Sequence, residues 1–293
     1  MPEGRVIRAY AGHYYVTSEG ATFDCSVRGR LRKSGKEAVV GDIVSFSATG
    51  PESGVIEDVL PRKTRLVRPP VANVDQAVVV MACTDPEPDL ELLDRMLVAV
   101  GVEGLTPIIC FNKIDLVSAY ASDKLARPYR RAGYAVVRTS ARAGWGLQTL
   151  RRALAGKISV FAGPSGVGKS ALLNALEPGY RLRCGEISAK TGRGRHTTRY
   201  SVLLEVKPSG YVTDTPGFSK LDLDGLGREE LGDFFPEFSE RKADCRFSGC
   251  LHFREPDCAV KAAVESKEIS RFRYDHYLKF LMEIMERERR QGR

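Results

Sequence analysis

At about 100–200 residues per domain, 293 residues suit two or three domains, and 43 % hydrophobic with 28 % charged residues exclude a wholly disordered or collagen-like chain. No apolar run approaches the roughly 18 residues of a membrane span, and Met1-Pro2-Glu3-Gly4-Arg5 lacks the apolar segment that follows in a secretory signal, so a cytoplasmic protein with no membrane partner is expected. The net charge of +8 admits a nucleic-acid partner without requiring one, and seven cysteines, an odd number without an export signal, argue against a disulfide framework.

Residues 1–68 read as short strands. Phe23, Cys25 and Val27 alternate with polar neighbours, Ile43, Val44 and Phe46 follow the turn at Gly41-Asp42, and Val55, Ile56, Val59 and Leu60 follow a second turn at Pro51–Gly54. Turn signals every ten or so residues predict a small all-β barrel or sandwich, with Arg28, Arg30, Arg32, Lys33 and Lys36 on a loop between strands. Pro69-Pro70 predicts a stiff boundary. Beyond it, apolar runs at 77–82, 107–111, 136–137 and 158–162 read as buried strands, and 202–206 and 211–213 as two more. Helical spacing covers Leu90–Val100, Leu147–Leu154 and Lys169–Leu176. This alternation predicts a doubly wound α/β domain with a largely parallel sheet. From Gly225 the pattern changes to a short helical piece at Asp233–Phe238, a Cys/His-rich loop, and an amphipathic helix over Ser270–Arg290 with Phe272, Tyr277, Leu281, Ile284 and Met285 roughly on one face.

Gly163-Pro164-Ser165-Gly166-Val167-Gly168-Lys169-Ser170 matches G-x-x-x-x-G-K-S, follows a buried strand and opens a helix that continues with Ala171. Its glycines let the backbone wrap a phosphate, and its N–H groups with the helix N-terminus present positive potential to the anion. Lys169 would reach the β- and γ-phosphates and Ser170 would bind Mg2+. Asn112-Lys113-Ile114-Asp115 follows the strand at 107–111. The Asp115 carboxylate can accept from both N1–H and the exocyclic amine of guanine, whereas adenine lacks that amine and offers an acceptor at N1. Asn112 would hold the loop or the base's other edge, and the Lys113 stem would cover the ring. Ser140-Ala141 ends the strand at 135–138, in position to give a backbone N–H to guanine O6. Asp214-Thr215-Pro216-Gly217 reads as D-x-x-G, placing Asp214 near Mg2+ and the Gly217 N–H near the γ-phosphate. Between this motif and the P-loop, Gly192–Thr198 reads as a switch loop in which Thr197 or Thr198 could bind Mg2+.

Cys245, Cys250, His252 and Cys258 give C-x4-C-x-H-x5-C, three thiolates and an imidazole suited to one closed, structural zinc site, although the C-x-H step fits no standard finger. Cys25, Cys83, Cys110 and Cys184 lack such spacing and read as core residues, and His13 and His276 as ordinary surface or packed histidines.

The order of motifs is unusual: N-K-x-D and S-A precede the P-loop, and D-x-x-G comes last. A circular permutation, with the old termini joined near the short helix before Ile158, preserves the sheet and sends the chain after Gly217 straight into the C-terminal region. With the β-rich start, the permuted motifs and the Cys/His cluster, nearly the whole chain resembles the circularly permuted ribosome small-subunit-dependent GTPase family (RsgA, also called YjeQ or YloQ). That resemblance implies an OB-fold RNA-binding domain at 1–68, a permuted GTPase domain at 69–224 and an α-helical zinc-binding domain at 225–293. It further implies a GTPase stimulated by the 30S subunit and acting late in its maturation, with GTP/GDP, the 30S subunit and 16S rRNA as partners. A monomer is expected.

Water would attack the γ-phosphorus in line, with Lys169, Mg2+ and the P-loop amides stabilising charge. Phe218 stands where many GTPases carry a water-orienting glutamine, so slow intrinsic hydrolysis is expected, and His196 is the candidate to replace it; a phosphate or RNA contact is its alternative role. Two other readings compete: a small-molecule P-loop kinase, which would not need Asp115, and an RNA-binding protein whose nucleotide is only structural. Residues 1–68 carry +3 and residues 181–207 carry +5, so the basic excess is expected to bring the barrel loop near Arg30 and the switch loop to RNA.

Overall fold

The computed structural model describes residues 1–29, 31, 37–67, 70–178, 202–207, 209–214 and 223–292. Arg30, Arg32, Lys33, Lys36, Pro69, Cys184, His196, Thr197, Thr198, Gly217 and Phe218 lie outside the described residues, as does the side chain of Asp214. The chain divides into two compact units, one of Met1–Val78, Leu147–Ala162 and Lys169–Gly217, the other of Val79–Gly146, Gly163–Gly168 and Phe218–Arg293.

The first unit begins with strands β1 (Glu3–Tyr10), β2 (His13–Ser18), β3 (Ala21–Val27), β4 (Ile43–Gly50) and β5 (Ser53–Val59), closed into a barrel of order β1-β2-β3-β5-β4. Closure removes the exposed edges that short strands would otherwise present. Val6, Val16, Cys25, Val44, Phe46 and Ile56 fill the interior from alternate positions of the five strands. Arg62 closes the base of the barrel: its guanidinium donates to both oxygens of the fully buried Asp42 at 2.7 and 2.8 Å, and Asp42 also accepts the Val39 N–H. Past the barrel, β6 (Arg65–Val67) and β7 (Pro70–Ala72) form a two-stranded ribbon where the sequence predicts only a stiff boundary.

A second sheet has strand order β10-β9-β8-β11-β13-β12, made of β8 (Gln76–Ala82), β9 (Thr106–Asn112), β10 (Ala135–Arg138), β11 (Ile158–Ala162), β12 (Leu204–Val206) and β13 (Gly210–Asp214). β9 with β10 and β11 with β13 pair parallel, and β12 is antiparallel to β13. Every residue of β8 and β11 is buried, as their unbroken apolar runs require. Within the first unit, Gln76 donates to Ala153 O and Ser159 Oγ, and Arg5 of β1 stacks over the ring of Tyr211 in β13. The helices are α1 (Leu90–Val102), α2 (Ala119–Arg131), α3 (Leu147–Leu154) and α4 (Lys169–Leu176).

In the second unit, α5 (Ala259–Glu265) and α6 (Arg271–Arg290) bury Phe235, Phe238, Tyr277, Phe280, Leu281 and Ile284 in a core that also takes Val98 of α1. Arg273 of α6 is held there by Asp94 of α1 and by Glu237, each at 2.5 Å. Among the described residues, no helix is long and apolar enough to cross a membrane.

Candidate guanine-nucleotide site and metal centre

The second unit brings together the P-loop residues 163–168 and the loops that follow β9 and β10. Gly163 has φ +142°, and a Cβ there would overlap the carbonyl oxygen of Val80 in β8; Gly168 has φ +96°, and a Cβ would overlap Asn112 Nδ2. Both glycines are therefore required by backbone conformation and by the closeness of a neighbour. Asn112 is 2 % exposed and joins the three segments. Its Nδ2 donates to Val167 O at 2.9 Å, while its Oδ1 accepts from Thr139 Oγ1 at 3.2 Å and from the Ala141 N–H at 3.3 Å. The sequence left Asn112 a choice between the loop and the base, and here it holds the loop. The Ala141 N–H, expected at guanine O6, faces Asn112.

Lys113 adopts the left-handed conformation, φ +62°, and its ammonium donates to Asp85 O, which ties the N-K-x-D loop to the loop at Asp85-Pro86. Asp115 is half-buried in the 3-10 turn Ile114–Leu116, held by Ile114 N–H donating to Thr139 O. Ser140 is fully buried and its Oγ accepts the Ala143 N–H, so the S-A turn is fixed from within. Pro164 and Ser165 continue the loop, Gly166 lies at its exposed crest against Pro86, and Val167 is buried beneath. Two contributors were not singled out from sequence: Thr139, which braces Asn112 from the position before the S-A pair, and the loop at Asp85-Pro86.

In the first unit, Lys169 and Ser170 are half-buried at the start of α4 and Ala171 is exposed behind them. The first N–H groups of a helix have no acceptor within the helix itself, and such a helix start is suited to phosphate. β13 ends at Asp214. His196, Thr197, Thr198 and Gly217 fall outside the described residues.

Cys245 Sγ, Cys250 Sγ, His252 Nδ1 and Cys258 Sγ all lie within 4.8 Å of one another. His252 Nδ1 lies 3.3 Å from Cys258 Sγ and 3.6 Å from Cys245 Sγ, and the sulfurs of Cys245 and Cys258 are 3.9 Å apart. Zinc bonds of about 2.0–2.3 Å at tetrahedral angles separate their donors by roughly 3.3–3.8 Å, so the set fits one zinc ion. The loop is shaped for it. His252 takes φ +52° and donates its N–H to Cys250 Sγ at 3.4 Å, and the Glu255 carboxylate accepts the N–H groups of Leu251 and Phe253 at 2.9 Å each. Burial opposes ionisation of Glu255, but these backbone donors outweigh it and hold its carboxyl below the usual range. The hydroxyls of Tyr274 and Tyr277 on α6 donate to His252 O and Leu251 O at 2.7 Å. Burial holds His252 toward the neutral imidazole that ligation needs. Cys25, Cys83 and Cys110 are buried away from this cluster in or beside strands of the two sheets.

A P-loop fed by a buried parallel strand, an N-K-x-D loop tied to it through Asn112, and motifs in permuted order define a P-loop GTPase fold. The RsgA GTPase family profile matches residues 59–224 and the RsgA N-terminal domain matches residues 3–56, and the chain belongs to the RsgA GTPase family. It is 51 % identical over 287 residues to the small ribosomal subunit biogenesis GTPase RsgA of Moorella thermoacetica, across 98 % of this chain and 99 % of the relative. Among solved structures it is similar to YloQ, a circularly permuted GTPase, at TM-score 0.84 and 40 % identity over 98 % of this chain and 96 % of the other. YjeQ from Thermotoga maritima matches at TM-score 0.84 and 38 % identity, over 97 % and 98 % of the two chains. The protein is a GTP hydrolase.

Proposed function

We propose that this GTPase binds the small (30S) ribosomal subunit, contacts its 16S rRNA, and hydrolyses GTP to GDP and phosphate late in the subunit's maturation, with the subunit stimulating turnover. The relatives named for small-subunit biogenesis support the process. The observation that carries the nucleotide is Asn112, which binds the N-K-x-D loop to the P-loop and to Ala141 in one hydrogen-bonded set.

In this reading Asp115 accepts guanine N1–H and the exocyclic amine, with the Lys113 stem over the ring and Ser140-Ala141 closing the O6 side. The backbone of Gly163, Pro164, Ser165, Gly166, Val167 and Gly168, with the first N–H groups of α4 through Ala171, wraps the phosphates. Lys169 neutralises charge between the β- and γ-phosphates. Ser170, Thr197 or Thr198, and Asp214 would hold Mg2+, which when bound draws negative charge from the phosphates. The Gly217 N–H meets the γ-phosphate, and His196 orients the attacking water. Cys245, Cys250, His252 and Cys258 hold one structural zinc. The domains are an RNA-binding OB barrel at 1–68, the GTPase at 69–224 and the zinc-binding helices at 225–293, acting as a cytoplasmic monomer. The barrel loop near Arg30 and the loop at 192–198 face RNA.

GTP turnover with and without 30S subunits tests the reading. Stimulated turnover that His196→Ala abolishes, with GTP affinity retained, is the expected result. No turnover even with subunits would leave an RNA-binding protein with a structural nucleotide, and turnover indifferent to subunits together with phosphoryl transfer to a small acceptor would make it a kinase.

A further inference from the structure

Summed over domains, the charge is +3 in residues 1–68, +5 in residues 69–224 and zero in residues 225–293, but the sum hides a sharp polarity inside the GTPase region. Residues 69–115 carry two Lys/Arg against eight Asp/Glu, whereas residues 116–152 carry eight against one. Half of those eight cations lie on one helix, α2. Ser122, Ala126 and Tyr129 bury one face of α2, and Tyr120, Lys124, Arg127 and Arg131 recur at helical spacing on the opposite, exposed face. Eleven residues at 1.5 Å rise make this stripe about 16 Å long, with a charged step every 5–6 Å or so.

The stripe forms one wall of a groove of about 470 Å3, and Lys267 and Arg271, on the turn between α5 and α6 and at the start of α6, stand on the other. Arg131 ties the walls together by donating to the carbonyls of Lys267 and Glu268 at 3.0 and 3.3 Å, contacts that leave its charge uncompensated. Three acids also line the groove, and each is paired with a cation outside it: Asp123 with Arg130 at 2.8 Å, Glu237 with Arg273 at 2.5 Å, and Glu268 with Arg241 at 2.5 Å. Arg271 is paired with Asp275 at 2.8 Å. Lys124, Arg127 and Lys267 have no carboxylate within ion-pair distance among the described residues. Tyr120, 78 % exposed, closes one end of the stripe.

We infer that this groove is an RNA-docking surface: Lys124, Arg127, Arg131 and Lys267 bind successive backbone phosphates, and Tyr120 stacks on a base. Regular charge along a line, ending in an exposed ring, matches a sugar–phosphate chain better than it matches an acidic peptide, whose carboxylates have no fixed repeat. The RNA of the small subunit is the intended occupant, and in that respect the inference rests on the proposed function.

The test uses the full chain, zinc-loaded, with a fluorescein-labelled 20-nucleotide RNA hairpin titrated at several KCl concentrations and co-sedimentation with 30S subunits in parallel. The double variant Lys124→Glu/Arg127→Glu is expected to weaken hairpin binding about 100-fold at low salt and to lower the slope of log affinity against log salt by about two. Tyr120→Ala is expected to weaken it about tenfold with the slope unchanged. Basal GTP turnover should stay at the parent value, since none of the three residues belongs to the nucleotide site. If the double variant does not fold, Lys124→Gln/Arg127→Gln must give the same loss of slope. Parent-like binding to both hairpin and 30S overturns the groove. Weakened 30S binding with an unchanged hairpin overturns the RNA assignment in favour of a protein partner. Hairpin binding that follows the groove while even the parent fails to sediment with 30S upholds the inference and sinks the small-subunit reading.

Discussion

Arg273 has 1 % of its surface exposed, yet it lies among Tyr129, Tyr134 and Phe235, with its guanidinium 5.0–5.2 Å from each ring centre. Burial alone would strip its charge, but Asp94 and Glu237 outweigh that and hold the guanidinium well above its ordinary value. Removing Asp94 leaves Glu237 to balance the buried guanidinium and also takes the partner of His276, toward the loss of about 3–5 kcal/mol that breaking a buried pair brings. Asp94→Ala should therefore lower the urea midpoint sharply. Lys279→Ala, six residues along α6, removes a pair with Glu91 of α1 that is about half in solvent and should change stability by less than about 1 kcal/mol. Comparable midpoints for the two would mean that Arg273 does not hold α6 to α1. Asp115 makes a different kind of prediction. A carboxylate that selects guanine by accepting two N–H donors loses one acceptor when changed to an amide. Asp115→Asn should bind GTP at least tenfold more weakly and gain affinity for XTP, whose ring carries an acceptor where guanine has its amine; fluorescent-nucleotide displacement measures both, and unchanged GTP affinity would remove Asp115 from the base site. Asn112, Gly163 and Gly168 were legible as loop-building residues because their chemistry permits few substitutes. Arg273 was not read, although it sits four residues before Tyr277 on the apolar stripe that continues through Phe280, Leu281 and Ile284; an arginine at an apolar position is the signal that could have revealed it.

At the scale of elements, what the sequence revealed depends on how each strand or helix is buried. β8, β9 and β11 are covered on both faces and read as unbroken apolar runs. β1 is harder to read because a bulge between Val6 and Arg8 breaks its alternation where it pairs with β2. α2 escaped notice for two reasons: its buried face is only Ser122, Ala126 and Tyr129, and Pro128 within it reads as a helix end. The Cys/His loop between the 3-10 turn Lys242–Asp244 and α5 packs Leu251 and Phe253 against the core but has no helix or strand of its own, and its order depends on the ligands, the Glu255 clamp and the two tyrosine hydroxyls of α6. Removing zinc should release it. Atomic absorption should find one zinc per chain, and a chelator or Cys258→Ser should open the exposed Arg246 and Arg254 to trypsin while cleavage elsewhere in the chain is unchanged. Identical digestion with and without chelator would show that the cluster does not organise the loop.

For the whole molecule, the consequence of permuted motif order is connectivity. In a GTPase of ordinary order the chain after D-x-x-G returns to the sheet. Here β13 ends at Asp214, and nine residues later Leu223 is already part of the core formed with α6, where Arg287 donates to its carbonyl. Such a connection spans at most about 30 Å fully extended, so a change at the γ-phosphate end of β13 has a short covalent route to the zinc-bearing helices. If that route couples the two, nucleotide state and subunit binding are linked, and the linkage must be reciprocal. At typical coupling energies the 30S affinity of the form bound to a non-hydrolysable GTP analogue should exceed that of the GDP form by about 5–150-fold, and 30S should raise affinity for the analogue over GDP by the same factor. Inserting four Gly/Ser residues after Leu221 should shrink both ratios together, with thermal stability and nucleotide affinity in the absence of subunits unchanged. Sedimentation and nucleotide titration measure the two ratios independently. Equal 30S affinities in the two nucleotide states, or ratios that survive the insertion, would mean that the permuted connection carries no signal.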